Sequence, residues 1–419
     1  MRRLVVFFLL GYLFFQSWTN AFALHELLPL HVLFGIGAVL TSGFYILATR
    51  KKIRIDALRP EDTLVFLLVV LITLAALVNP RTASVNYVAA YTYVFIISYI
   101  CIKILLSTYT NTQSILTWLL AGVLITAAGS IAEYVLTFYF GINLNPYLYR
   151  FKESISLFAG LFPRSAAFSN EPGILAFYLE TLGVLGVWLL WKRPINTFLK
   201  LCGTGTIVLG WALTFSAASV AILSVAVYLI FIINSLRSSK RYVQVLPFIA
   251  TPIVIVLGLV AIQSIRDTII WQIFTKITLQ TEHSGSASQR VSEWTEGLRK
   301  ITKRPVLGEG PGTAASKGQT GNLSWYLFLG AESGVFSLIT VLVFISVKGW
   351  RMLTSSIEGK YWYLVGLISG SAHLAVISTF FHPFLWTLIS TFDIMEIRQC
   401  NRTSRKYNNS CRNKNKTNE

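Results

Sequence analysis

Apolar residues in this chain gather into long uninterrupted runs, separated by short polar breaks. A helix that crosses a bilayer needs about 20 predominantly apolar residues. Runs of suitable length lie at 4–19, 27–48, 63–78, 87–106, 114–140, 172–190, 198–215, 217–234, 243–264, 323–347, 361–380 and 383–396. The apolar stretch 198–234 is too long for one crossing and divides at Ser216. The pattern predicts an all-α polytopic integral membrane protein with about twelve transmembrane helices, forming a single membrane domain over residues 1–419.

Composition agrees with that solvent. The chain is 54% hydrophobic and only 13% charged, where a soluble domain carries roughly twice that share of charge. The net charge of +18 invites a nucleic-acid reading, but no nucleic-acid-binding module is recognisable and the basic residues sit between the apolar runs. No nucleic-acid partner is expected. With the N-terminus inside, the inner breaks hold Arg50–Lys52, Arg54, Arg59, Lys192, Arg193, Arg237, Lys240, Arg241, Lys348 and Arg351. Residues 398–419 then form a basic cytoplasmic tail, of which 401–419 are predicted to be disordered beside anionic lipid. The short outer connections are poor in Lys and Arg, as the positive-inside rule requires. Both termini are therefore predicted to be cytoplasmic. The exception is cleavage of the N-terminal segment, since Arg2, Arg3, an apolar core and Ala21-Phe22-Ala23 also fit a signal peptide.

Cys101 and Cys202 fall in apolar runs, and Cys400 and Cys411 in the tail, so no structural disulfide is expected. No His, Asp or Glu cluster has metal-ligand spacing, and neither a metal nor another cofactor is predicted.

Two segments predicted to lie outside are too long to be simple connectors: 141–171 and 266–322. Both keep aromatic and apolar residues, so both are expected to fold. In the second, Val291, Trp294, Leu298 and Ile301 recur at helical spacing, with Ser288 or a neighbour as cap and Pro305 as the stop. This amphipathic helix is expected to lie over the bundle at the membrane surface.

The chemistry-bearing residues cluster in the same two segments. Pro163 to Gly173 places Arg164 and Glu171 at the entrance to a crossing. An acid followed by Pro172 equally suits a capped helix start. The run Arg304-Pro305-Val306-Leu307-Gly308-Glu309-Gly310-Pro311-Gly312 suggests a phosphate cradle, but no strand precedes it and Pro311 interrupts it, so turn glycines explain it better. Glu133 is an acid about two turns inside an otherwise apolar run. Such a residue faces a functional cavity or pairs with a neighbouring helix. Glu180 and Glu332 lie within runs too. His283 is near Arg290 in the second segment, while His373 and His382 sit by the last outer turn and match no motif.

In order, Arg164, Phe168, Glu171 and Pro172; Leu213-Thr214-Phe215-Ser216; Arg290 and Trp294; Pro305 to Gly312; and Tyr326-Leu327 with Glu332-Ser333-Gly334 resemble the O-antigen polymerase and O-antigen ligase superfamily of bacterial envelope glycan assembly. The resemblance spans roughly residues 115 to 345. It departs at two points. The ligases carry a His just before the Tyr-Leu element, where this chain has Leu323-Ser324 beside Asn322; and Ala217 stands where an Arg usually follows Leu-Thr-Phe-Ser.

The resemblance implies a GT-C-like, metal-independent membrane glycosyltransferase of the bacterial inner membrane. Its donor would be a polyprenyl-diphosphate-linked oligosaccharide repeat unit, polymerised at the outer face into O-antigen, capsule or exopolysaccharide. Arg164 and Arg290 are then candidate diphosphate ligands, because the guanidinium fork matches phosphate oxygens and stays charged. Glu171, then Glu133 and Glu332, are candidate catalytic carboxylates. Asn322 and Tyr326 are candidates for the acceptor sugar. Membrane lipid is a partner, and a chain-length regulator is an open one. The alternatives are a ligase moving finished glycan to lipid A core or protein, against which the missing His counts, and a flippase or secondary transporter, which would carry charge at bilayer depth.

Overall fold

The computed structural model describes residues 1–23, 28–50, 55–148, 157–158, 162–236, 285–316, 324–378 and 381–416. Among them the chain is almost entirely helical, and seven helices are long and apolar enough to cross a membrane: Leu30–Thr49, Pro60–Val78, Ser84–Tyr109, Thr112–Phe140, Pro172–Lys192, Ala217–Ser235 and Val335–Thr354. The expected crossing at 243–264 lies outside the described residues.

The helices are α1 (Arg2–Phe14), α2 (Leu30–Thr49), α3 (Thr63–Val78), α4 (Ser84–Thr92), α5 (Ile102–Tyr109), α6 (Thr112–Phe140), α7 (Pro172–Tyr178) and α8 (Val184–Lys192). Then follow α9 (Thr197–Ala212), α10 (Ala217–Leu236), α11 (Gly285–Lys303), α12 (Thr313–Ser316), α13 (Trp325–Ser333), α14 (Val335–Thr354), α15 (Lys360–His373) and α16 (Phe384–Lys416). Two π-helical stretches, Tyr93–Cys101 and Leu179–Gly183, join α4 to α5 and α7 to α8. A two-residue antiparallel pair, β1 (Leu157–Phe158) with β2 (Phe162–Pro163), is the sole sheet among the described residues.

Local chemistry sets most boundaries. Asn111 caps α6 by accepting a hydrogen bond from the Ser114 amide at 2.6 Å, and Gly141 ends it in the left-handed conformation at φ 66°. The expected break at Ser216 is present, since α9 stops at Ala212 and α10 starts at Ala217. The apolar run 323–347 is not one helix. Gly334, at φ 85°, divides it into α13 and α14, and a Cβ there would collide with the Val306 carbonyl. The C-terminal helix runs to Lys416 where composition predicts disorder. Once its apolar half is folded, each further residue adds a hydrogen bond without a new nucleation cost.

Lipid offers helices no hydrophobic reason to associate, so close packing and buried polar contacts hold the bundle. Small residues allow the closest approaches. A Cβ on Gly122 would lie 2.6 Å from the Phe14 carbonyl, and one on Gly210 2.7 Å from that of Ala127. The main core gathers Tyr91, Phe95, Tyr99, Val123, Phe177, Tyr178, Trp325, Phe344, Tyr363 and Trp386.

A second cluster, with Val5, Leu9, Tyr12, Leu13, Tyr45 and Leu106, packs α1 against α2 and α5. The fold thus uses the N-terminal segment as a core helix. The turn after it does more. Gln16 donates to Thr387 at 2.5 Å, Ser17 and Thr126 share a hydrogen bond, and Asn20 and Ala21 amides donate to the Phe168 carbonyl.

At the end of the bundle away from the long loops lies a buried ion cluster. Lys103 and Lys348 are fully buried and meet Asp393 at 2.9 and 2.7 Å. Lys103 also pairs with Asp62, which accepts from the Tyr99 hydroxyl at 2.6 Å. Lys348 reaches Glu61 at 3.0 Å, while Arg351 pairs with Glu61 and Glu396, and Arg59 with Glu396 at 3.1 Å. Four cations face four carboxylates, so each buried charge is neutralised locally. Residues just before α3, at the start of α5 and near the end of α14 are tied here to α16.

Candidate functional site

The opposite end of the bundle is built by the two long segments. In the first, residues 162–171 return across the mouth of the bundle before Pro172 starts α7 at its favoured first position. What holds this strip is Glu133. Its carboxylate accepts from the Ser165 hydroxyl at 2.6 Å and from the Ala166 and Ala167 amides at 2.8 and 2.6 Å. Ala167 is left-handed at φ 47°, a conformation that costs an L-residue about 1–2 kcal/mol and is held here by those bonds. Glu133 therefore anchors a loop through one hydroxyl and two main-chain amides. From the other side, Trp18 stacks on Phe168 with ring centroids 4.1 Å apart. The Ser169 hydroxyl donates to the Ser17 carbonyl at 2.9 Å.

Arg164 is fixed by a main-chain acceptor: its Nε donates to the Thr214 carbonyl at 3.0 Å, and the neighbouring Ser165 amide donates to Leu213 at the same distance. Both acceptors lie in the turn between α9 and α10. Glu171 caps α7 without a side-chain cap bond and is exposed. Burial lowers the pKa of Arg164; Glu171 opposes that shift, and Arg290 adds to it. Arg290, in α11, is likewise lowered by burial and supported by Glu293. Arg164, Glu171 and Arg290 are thus within electrostatic range, one arginine from each long segment. Two partly desolvated like charges within range of each other favour a nearby anion.

Beside Arg164, five rings form a continuous aromatic surface. Phe215 stacks with Phe158 and Phe162 at 5.3 and 6.0 Å, and Phe138 stacks with Tyr134 at 5.4 Å and Phe162 at 6.0 Å. Phe215 is itself left-handed at φ 46°. Strained backbone of this kind persists where its surroundings over-determine it.

In the second segment, α11 ends at Lys303, before Pro305, and begins at Gly285, three residues ahead of Ser288. Its buried face differs from the expected stripe. Leu298 and Val291 are exposed, whereas Gly297 is buried and Ile301 meets Gly330 of α13. The helix packs on α13, with Ile301 seated against Gly330. The glycines that follow also serve main-chain approach. Gly308, Gly310 and Gly312 all have positive φ, and a Cβ at Gly310 would collide with the Asn79 carbonyl. Asn79 donates to the Gly308 carbonyl at 3.2 Å, and Arg81 to that of Glu309 at 3.1 Å.

Glu332 closes this junction. It is buried and accepts from the Gly312 and Ala314 amides at 2.9 and 3.2 Å. Glu133 and Glu332 thus play matching parts, each pinning one long segment to the bundle through amide donors. Tyr326 donates to the Ser371 carbonyl at 2.9 Å. Asn322 and His283 lie outside the described residues. Among the described residues no three His, Cys, Asp or Glu side chains come together as a metal site.

The parts played by the Thr214 carbonyl and Trp18, and the buried meeting of Glu180 and His373 with Ser219 beneath the loop, emerge only in the fold. Leu213-Thr214-Phe215-Ser216 was the available signal for the first; the others follow no local pattern. No protein-family model and no curated protein sequence matches the chain.

Proposed function

We propose that this protein is a membrane glycosyltransferase that polymerises polyprenyl-diphosphate-linked oligosaccharide repeat units at the outer face of a bacterial inner membrane. The observation that carries this reading is that Arg164 and Arg290, one from each long segment, lie within electrostatic range of each other, with the exposed Glu171 also within range of Arg164. The order of motifs in the sequence supports it. The end bearing the long loops is assigned outside because Arg59, Lys192, Arg193, Lys348 and Arg351 lie at the other end.

In this mechanism the acceptor hydroxyl oxygen attacks the anomeric carbon of the donor. The new glycosidic C–O bond forms as the bond from that carbon to the diphosphate oxygen breaks. The diphosphate leaves with the electron pair, and Arg164 and Arg290 stabilise the charge that develops on it. Glu171, exposed and within electrostatic range of Arg164, accepts the hydroxyl proton. The aromatic surface around Phe215 offers faces for sugar rings or for the first isoprene units. Glu133 and Glu332 hold the two loops in register for this, and Tyr326 braces α13 against α15.

The test is reconstitution in liposomes with a polyprenyl-diphosphate oligosaccharide. Wild type yields a glycan ladder, and Arg164→Ala and Arg290→Ala lose it at equal protein levels. A ladder only when lipid A core is supplied favours the ligase. Movement of intact donor across the bilayer with no new glycosidic bond favours the flippase, and the enzyme reading falls.

A further inference from the structure

Beneath Arg164 the bundle holds a polar group that neither loop contains. Glu180 lies in the π-helical stretch Leu179–Gly183, Ser219 in the first turn of α10, and His373 at the last position of α15. All three are buried to 1% exposure or less. His373 Nδ1 stands 2.6 Å from Glu180 Oε1. The Ser219 hydroxyl donates to Glu180 Oε2 and accepts from the Trp211 indole nitrogen at 2.8 Å. Phe177 stacks on the imidazole at 5.2 Å, and the Ser369 hydroxyl donates to the Glu180 carbonyl at 2.9 Å.

A carboxylate in an apolar bundle is expensive, and a hydrocarbon side chain would fill the same space without that penalty. π-Helical insertions also concentrate at functional sites. What the group touches is the α9–α10 turn. Trp211 precedes the turn and Ser219 follows it, so both ends of Leu213–Ser216 are tied to Glu180 through one hydroxyl. The outward side of the same turn presents the Leu213 and Thr214 carbonyls to Ser165 and Arg164. The strained Phe215 follows them directly. One turn therefore has the Glu180–His373 pair on its buried side and the Arg164 fork on the other.

We propose that Glu180, Ser219 and His373 are positioning residues that set the α9–α10 turn and, through the Thr214 carbonyl, aim the Arg164 guanidinium at a diphosphate. This rests on the reading of Arg164 as a diphosphate ligand. None of the three touches substrate; they hold the acceptor that orients the fork.

The experiment is equilibrium binding of a short-chain polyprenyl diphosphate to the full chain in nanodiscs. It uses wild type, Ser219→Ala, Ser219→Thr, His373→Gln and Arg164→Ala, alone and combined, with thermal unfolding run in parallel. Ser219→Ala and His373→Gln weaken binding about tenfold, the scale of one misaligned charge-assisted contact. Ser219→Thr, which keeps the hydroxyl, restores it. In the Arg164→Ala background the same changes add nothing, because the effect travels through that side chain. Wild-type affinity in both single variants overturns the inference, and so does a loss that persists in full without Arg164. Failure of wild type to bind the diphosphate overturns the reading of Arg164 itself, and the inference with it. Binding without chain growth sinks the polymerase alone.

Discussion

Replacing Lys348 with Met tests the ion cluster at the loop-free end. Its ammonium contacts Asp393 at 2.7 Å, Glu61 at 3.0 Å and Asp62 at 3.3 Å. Removing it leaves Lys103 as the one fully buried ammonium against Asp62 and Asp393, so a net negative charge stays in the core. Uncompensated charge of this kind costs about 3–5 kcal/mol. Methionine fills most of the lysine stem, which keeps the packing loss small against that figure. The double variant Lys348→Met with Asp393→Leu restores neutrality, and it should recover most of the loss, since buried pairs are often replaceable by apolar residues of similar volume. Unfolding in mixed micelles of increasing SDS content measures both. A single variant within about 1 kcal/mol of wild type, or a double variant as unstable as the single, refutes the assignment of a neutral, coupled cluster.

Glu133→Gln should speed hydrogen exchange at the Ala166 and Ala167 amides without shifting the pH dependence of chain growth; a displaced pH profile would make Glu133 a catalytic acid or base instead of an anchor. Glu171→Gln should abolish chain growth while diphosphate binding stays within about twofold. Unchanged turnover would remove it as the proton acceptor. Gly310→Ala meets the Asn79 carbonyl at φ 98° and should lower stability by several kcal/mol, whereas Gly173→Ala, with nothing within 4 Å of its Cβ, should be silent; thermal unfolding of the pair separates them. Trp18→Ala loses the stack on Phe168 and should destabilise the first loop by about 0.5–1.5 kcal/mol beyond lost burial. Limited proteolysis between residues 162 and 171 reads that change.

The sequence by itself determined the solvent and located the seven helices long and apolar enough to cross, because bilayer thickness demands long apolar runs and lipid tolerates few charges between them. It also located the break at Ser216, the amphipathic helix ending ahead of Pro305, and the two segments in which charge and aromatic residues gather. These are local signals, carried by neighbours within a few turns. Only the tertiary structure decided what the individual carboxylates do. Glu133, Glu180 and Glu332 look alike in sequence, as acids in apolar surroundings. One meets amides 33 and 34 residues onward, one meets a histidine from α15, and one meets amides 18 and 20 residues back. The glycines of residues 308–312 resemble a phosphate cradle until Asn79 and Ala83 are seen against them. Hydrogen-bond partners so far apart in the chain leave no periodic trace, so a carboxylate's role is set by which helices the packing makes neighbours.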